Sequence, residues 1–150
     1  TEKPELRQKI DLEALLESLQ EDLYPLGIQF QLHGTLSTPV DAQLLSLKRC
    51  LTNLLENAAR YGEGNIAVTL DKDEQSIRIT IHNEGEPIAE EELKKVFDPF
   101  YRVEHSRNRE SGGTGLGLSI ARNIVHAHGG ELLLENAPQG GVSAIVELPR

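Results

Sequence analysis

Apolar positions along the chain repeat with two distinct periods, and the breaks between them fall at glycine and proline. Leu12, Leu15, Leu16, Leu19 and Leu23 keep three- and four-residue steps behind Asp11, a helix-capping residue type, and Pro25-Leu26-Gly27 follows. This spacing predicts a short amphipathic helix. Ile28, Phe30 and Leu32 then alternate with Gln29, Gln31 and His33 up to Gly34, the period of a half-buried strand. Thr38 to Asp41 leads into a longer helix marked by Leu44, Leu47, Leu51, Leu54, Leu55 and Ala58. Two alternating runs, Ile66/Val68/Leu70 and Ile77/Ile79/Ile81, flank the charged turn Asp71 to Gln75 and predict a hairpin. A short helix over 90–95, a helix from Gly115 to the stop at Gly129-Gly130, and a last hairpin complete the pattern. That hairpin pairs Glu131 to Asn136 with Val142 to Leu148 around Pro138-Gln139-Gly140-Gly141. The elements add up to an α+β fold: a mixed β-sheet with helices packed on one face, a sandwich of two layers.

Composition narrows the function. A chain of 150 residues that is 38% apolar can build one core, so residues 1–150 are expected to form a single domain with no internal repeat. The formal charge of −9 opposes nucleic-acid binding, which needs a surplus of Lys and Arg on one face. Cys50 is the single cysteine, which excludes an internal disulfide; it lies near the edge of an apolar stripe and reads as an ordinary core thiol in a reducing compartment. There is no apolar run long enough to span a membrane and no secretory signal pattern. Because the chain begins at Thr1 without a methionine, it is expected to be a piece of something longer, whose parent could be membrane-bound.

Two segments carry candidate chemistry. Gly112-Gly113-Thr114-Gly115-Leu116-Gly117-Leu118 places four glycines in six positions ahead of a helix. Backbone N–H groups in such a turn can converge on a phosphate, helped by the helix dipole. In the long helix, Asn53, Glu56, Asn57 and Arg60 fall together opposite the leucine stripe at about 100° per residue. Amide and carboxylate oxygens suit Mg²⁺, which keeps waters and takes further ligands from phosphates, and a guanidinium grips phosphate oxygens. Together the segments predict a Mg-nucleotide site. From Glu104 to Gly113 almost nothing is apolar, so that stretch is expected to be mobile without a ligand.

Four motifs occur in order: Asn53 to Tyr61, Asn83-Glu84-Gly85, Phe97 to Arg102, and Gly113 to Gly117. They resemble the asparagine box, first glycine box, phenylalanine box and second glycine box of the ATP-binding catalytic (Bergerat-fold) domain of bacterial two-component sensor histidine kinases. Those kinases fall within the superfamily that also holds gyrase, Hsp90 and MutL. The resemblance implies a protein histidine kinase catalytic domain that binds ATP and Mg²⁺. It would transfer the γ-phosphate to a histidine on a separate dimerisation and phosphoacceptor domain. Asn57 would ligate the metal, Asn53 would contact phosphate or a metal-bound water, Arg60 would approach the phosphates, and Tyr61 would lie against the purine. Asn83, Gly85, Ile88 and Phe100 would help line the pocket. Gly113, Thr114, Gly115, Leu116, Gly117 and Leu118 would wrap the phosphates and adenine. Arg102 and Arg107, in a lid over about residues 101–114, would balance charge during transfer. The implied partners are the protein's own phosphoacceptor domain and, indirectly, a response regulator. Neither nucleic acid nor direct membrane contact is implied, and the parent is expected to be a homodimer. The implied location is cytoplasmic, with the parent an inner-membrane sensor.

This chain departs from the family pattern at two places. The first glycine box usually reads Asp-x-Gly-x-Gly, whereas here Asn83 replaces the purine-reading Asp and Pro87 the second Gly. An uncharged acceptor holds the adenine amino group less tightly, so weaker ATP affinity and looser purine choice are expected. None of the five histidines lies in the context of a phosphoacceptor. His126 and His128 diverge on their helix and cannot share a metal. Two alternatives remain: an ATP hydrolase of the same superfamily, disfavoured because Asn53 stands where a water-activating Glu would, and a non-catalytic nucleotide-sensing module.

Overall fold

The computed structural model describes residues 5–98 and 116–150. In chain order the elements are β1 (Gln8–Ile10), α1 (Leu12–Leu23), a 3-10 turn (Tyr24–Leu26), β2 (Phe30–His33), β3 (Val40–Ala42) and α2 (Leu44–Tyr61). They continue through β4 (Ile66–Lys72), β5 (Ser76–Asn83), α3 (Glu90–Leu93), α4 (Leu116–Ala127), β6 (Glu131–Asn136) and β7 (Val142–Pro149). Asp11 caps α1 as its residue type predicts, its carboxylate accepting from the Ala14 N–H at 3.1 Å.

Five strands form one mixed sheet in the order β2-β4-β5-β7-β6. Only β2 and β4 run parallel, with Phe30 opposite Ile66; the other neighbours are antiparallel. Strand alternation sends Ile66, Val68 and Leu70, Ile77, Ile79 and Ile81, and Val142, Ala144, Val146 and Leu148 into the core. The helices cover this face. The α2 stripe of Leu47, Leu51, Leu54, Leu55 and Ala58 packs on β5, and α1 lies over β2. Each fully buried leucine contributes about 1.5–3 kcal/mol. The opposite face is polar, with Arg78 held between Asp71 at 3.1 Å and Glu147 at 3.1 Å. The two-layer α+β architecture is therefore as the periodicity implies.

One expectation needs correcting. Thr38 to Asp41 is no mere lead into α2, because Val40–Ala42 is strand β3, paired antiparallel with β1 through Gln8↔Ala42 and Ile10↔Val40. A three-residue strand is too short to show a period, and its partner lies far back in the chain. A smaller shift occurs at one helix end: α3 covers Glu90–Leu93, not the whole of 90–95, while α4 is described from Leu116 onward.

Candidate functional site

The polar side of α2 is not an ordinary solvated face. Leu45, Arg49 and Ala59 are its exposed positions, whereas Asn53, Glu56, Asn57, Arg60 and Tyr61 are all half-buried. Polar groups screened from water interact more strongly with whatever they meet. The long α4 lies alongside α2, with the Cys50 Sγ–H against the Ala121 carbonyl at 3.7 Å. Cys50 sits fully inside the core, deeper than the edge of the stripe, and burial pushes its thiol up to about 12. It is a packing residue.

At its C-terminal end α2 meets the turn that follows β5. The Gly62 N–H closes the helix on the Ala58 carbonyl at 2.9 Å, and the Glu63 N–H donates to the Glu84 carbonyl at 2.8 Å. A Cβ on Gly62 would sit 2.9 Å from the Asn83 Cβ and 3.0 Å from its Nδ2, so only glycine lets the two elements close up. Gly85 holds φ at +143° beside Gly62 and Glu63, a conformation open to glycine alone. Asn83 continues the inward row of Ile77, Ile79 and Ile81, a place where alternation calls for an apolar side chain. Its Nδ2 donates to the Glu84 carbonyl at 3.2 Å, and among the described residues its Oδ1 accepts no hydrogen bond. An acceptor on the helix side of the sheet thus has no partner among the described residues.

A second carboxamide, missed by motif reading, builds the next part of this wall. Asn136 ends the inward row Leu132, Leu134, Asn136, level with Asn83 across Val142. Its Oδ1 accepts from the Ile88 N–H at 2.8 Å while its Nδ2 donates to the Ile88 carbonyl at 2.9 Å. Ile88 is therefore gripped on both sides of its own backbone. The signal was a polar residue on the buried face of a strand. The turn before β7 leans on the same loop: His82 Nε2 meets the Gly140 carbonyl at 2.7 Å, and a Cβ on Gly141, where φ is +77°, would strike the Asn83 carbonyl oxygen.

The structure thus brings Arg60 and Tyr61 at the end of α2 next to Asn83 and Gly85, with Asn57 one turn and Asn53 two turns earlier on that helix. Ile88 stands on the adjoining loop. From the phenylalanine box, Phe97 packs against the core with the Arg122 guanidinium 5.0 Å over its ring. Phe100, Arg102, Arg107, Gly113, Thr114 and Gly115, with the expected lid over 101–114, lie outside the described residues. Leu116 and Gly117 open the backbone of α4, and Leu118 is buried in the core.

His126 and His128 hold structural positions. His128, 4% exposed, donates from Nδ1 to the Ile124 carbonyl at 2.8 Å and accepts the Gln43 N–H on Nε2 at 3.0 Å. That pair of partners requires the neutral ring. His126 meets Glu131 at 3.1 Å on the surface. Among the described residues no group of three His, Cys, Asp or Glu side chains could hold a metal ion, and no helix is long and apolar enough to cross a membrane.

Residues 42–150 match the family described as histidine kinase-, DNA gyrase B- and HSP90-like ATPases. The chain is 38% identical over 146 residues to the signal transduction histidine-protein kinase BaeS of Escherichia coli K12, covering 93% of this chain and 31% of that protein. It thus spans less than a third of that relative. Among solved structures, the nucleotide-free catalytic domain of the histidine kinase ThkA superposes with a TM-score of 0.77 at 32% identity, covering 95% of this chain and 97% of that one. ThkA in complex with the response regulator protein TrrA gives a TM-score of 0.74 at 30% identity, over 95% of this chain and 41% of that one.

Proposed function

The chain belongs to the histidine kinase-, DNA gyrase B- and HSP90-like ATPase family, and from that premise we propose that it is the ATP-binding catalytic domain of a sensor histidine kinase. It binds Mg-ATP and presents the γ-phosphoryl to a histidine on a separate helical dimerisation domain, from which a response regulator is served, inside the cytoplasm. The observation that carries this reading is the half-buried amide face of α2 ending directly against Asn83 and Gly85. One ligand lying along that seam would meet phosphate-binding groups from the helix and a base-reading acceptor from the turn.

The donor set fits magnesium. The Asn57 amide oxygen would supply the protein's share of the ligands, the rest coming from phosphate oxygens and water, the arrangement Mg²⁺ prefers. Bound there, the cation would neutralise phosphate charge. Arg60 grips phosphate oxygens and Tyr61 covers the base, so the chain's own work is positioning and charge balance. The Oδ1 of Asn83, which has no partner among the described residues, supports reading a 6-amino purine; its local amide bond to the Glu84 carbonyl opposes the flipped orientation that would welcome a keto purine. Asn83→Asp is expected to tighten ATP more than GTP.

The test supplies γ-labelled ATP and the helical domain. Acid-labile phosphohistidine is expected, lost in Asn57→Ala along with at least about tenfold of the Mg-ATP affinity. Free phosphate without phosphohistidine would make the chain a hydrolase, and saturable binding with neither product would make it a sensor.

A further inference from the structure

The helix that carries Asn53, Asn57 and Arg60 does not cap its own N-terminus. Gln43 occupies the N-cap position with no side-chain bond to the first turn, and glutamine is a poor residue there. The missing acceptor comes from far back in the chain. The Glu5 carboxylate accepts the Leu45 N–H at 2.6 Å, the Ser46 N–H at 3.1 Å and the Ser46 hydroxyl at 3.3 Å. Gln43 itself turns away, its Nε2 donating to the Glu5 carbonyl at 2.6 Å. Two residues on, Arg7 does the complementary job for α4, donating to the carbonyl of Ala127, its last residue, at 2.8 Å, and to the Asp41 carbonyl at 3.5 Å. A carboxylate thus sits at the positive end of one helix and a guanidinium at the negative end of its neighbour, each with the favourable sign.

The attachment is polar and shallow. Between the two capping residues Leu6 is 83% exposed, and the first buried side chain of the segment is Ile10. Leu45, beneath the Glu5 carboxylate, is itself 69% exposed. Little apolar burial holds residues 5–7 down, which puts their release at the low end of the local unfolding scale.

We propose that residues 5–9 are a releasable strap hinged on the buried Ile10, and that Glu5 and Arg7 are positioning residues for the nucleotide site. Docking of the strap sets the seat of α2 against α4, so strap docking and nucleotide affinity rise and fall together. The inference rests on the nucleotide-site reading above. Reciprocity makes it specific: if the docked strap favours nucleotide, nucleotide must favour the docked strap by the same factor.

Two measurements are made on three chains: the affinity for Mg-ATP by calorimetry, and hydrogen exchange at residues 7–9 with and without nucleotide. In the parent, nucleotide should slow exchange in the strap. In Glu5→Ala/Arg7→Ala, affinity should fall roughly fivefold, the low end of typical coupling, and the nucleotide-dependent protection should vanish. Glu5→Ala/Gln43→Asp gives α2 a cap of its own and should melt like the parent while keeping the weakened affinity and the lost protection. If that variant regains the parent's affinity, Glu5 is only a cap and the proposal is overturned. It is equally overturned if strap exchange ignores nucleotide in the parent, or if the first variant binds like the parent. A parent that takes up no Mg-ATP at all would instead remove the nucleotide reading, and this inference with it.

Discussion

The two ends of α2 are finished by different means. At the C-terminal end, Gly62 and the turn after β5 meet through backbone hydrogen bonds and close steric fit, with Asn136 and Gly141 bracing the turn from behind. At the N-terminal end, the cap is a distant carboxylate on an exposed segment. Backbone bonds and glycine-tight contacts leave few alternatives, whereas long exposed side chains exchange easily with water. The helix is thus seated rigidly where candidate ligand-binding groups gather and reversibly at the other end.

The largest effects are expected at the rigid end of the helix. Gly141→Ala drives a Cβ into the Asn83 carbonyl from a backbone with φ at +77°. Strain and overpacking together should cost about 3 kcal/mol in urea unfolding, with Mg-ATP affinity falling while Leu45 amide exchange keeps its native protection. Asn136→Ala frees both polar groups of Ile88 and should cost about 1–2 kcal/mol. Its effect on nucleotide affinity should exceed its effect on the strap; equal effects at both ends would dissolve the distinction drawn here. The mildest perturbation is acid. The Leu45 N–H, with the Ser46 N–H and hydroxyl, holds the Glu5 carboxyl below its ordinary value. A lowered carboxyl stabilises the folded state fully above its unfolded value, and that contribution is lost as pH falls through the folded one. The Leu45 amide ¹⁵N shift should therefore titrate below the ordinary glutamate range, with the Asn83 amide unmoved. Titration within the ordinary range would remove the carboxylate from the helix end.

Much of this was readable in the residues. The leucine spacing of α1 and α2, and the alternation of β2, β4, β5, β6 and β7, record burial directly, because each side chain's period follows from which layer it faces. Asn53, Glu56, Asn57 and Arg60 stood out because polar groups shared one helical face, whereas Tyr61 came only with the family resemblance. What local pattern does not encode is partnership at long range. Glu5 looks like any surface glutamate until the fold puts it on α2, and β1 and β3 are too brief to show a rhythm. Asn136 was within reach: the polar end of an inward-facing row could have been read from Leu132, Leu134 and Asn136 alone.

The antiparallel register of β1 on β3 sets how the strap yields to load. Gln8 lies opposite Ala42, the residue that runs on into the body of the protein through α2. A pull on residue 5 against that anchor acts at a single end of the ladder, so its pairs part in sequence, as in a zipper, starting from Gln8 and Ala42. Bonds broken one after another give way at lower tension than bonds sheared together, so a small force peels this edge back as far as Ile10, whose buried side chain belongs to the core.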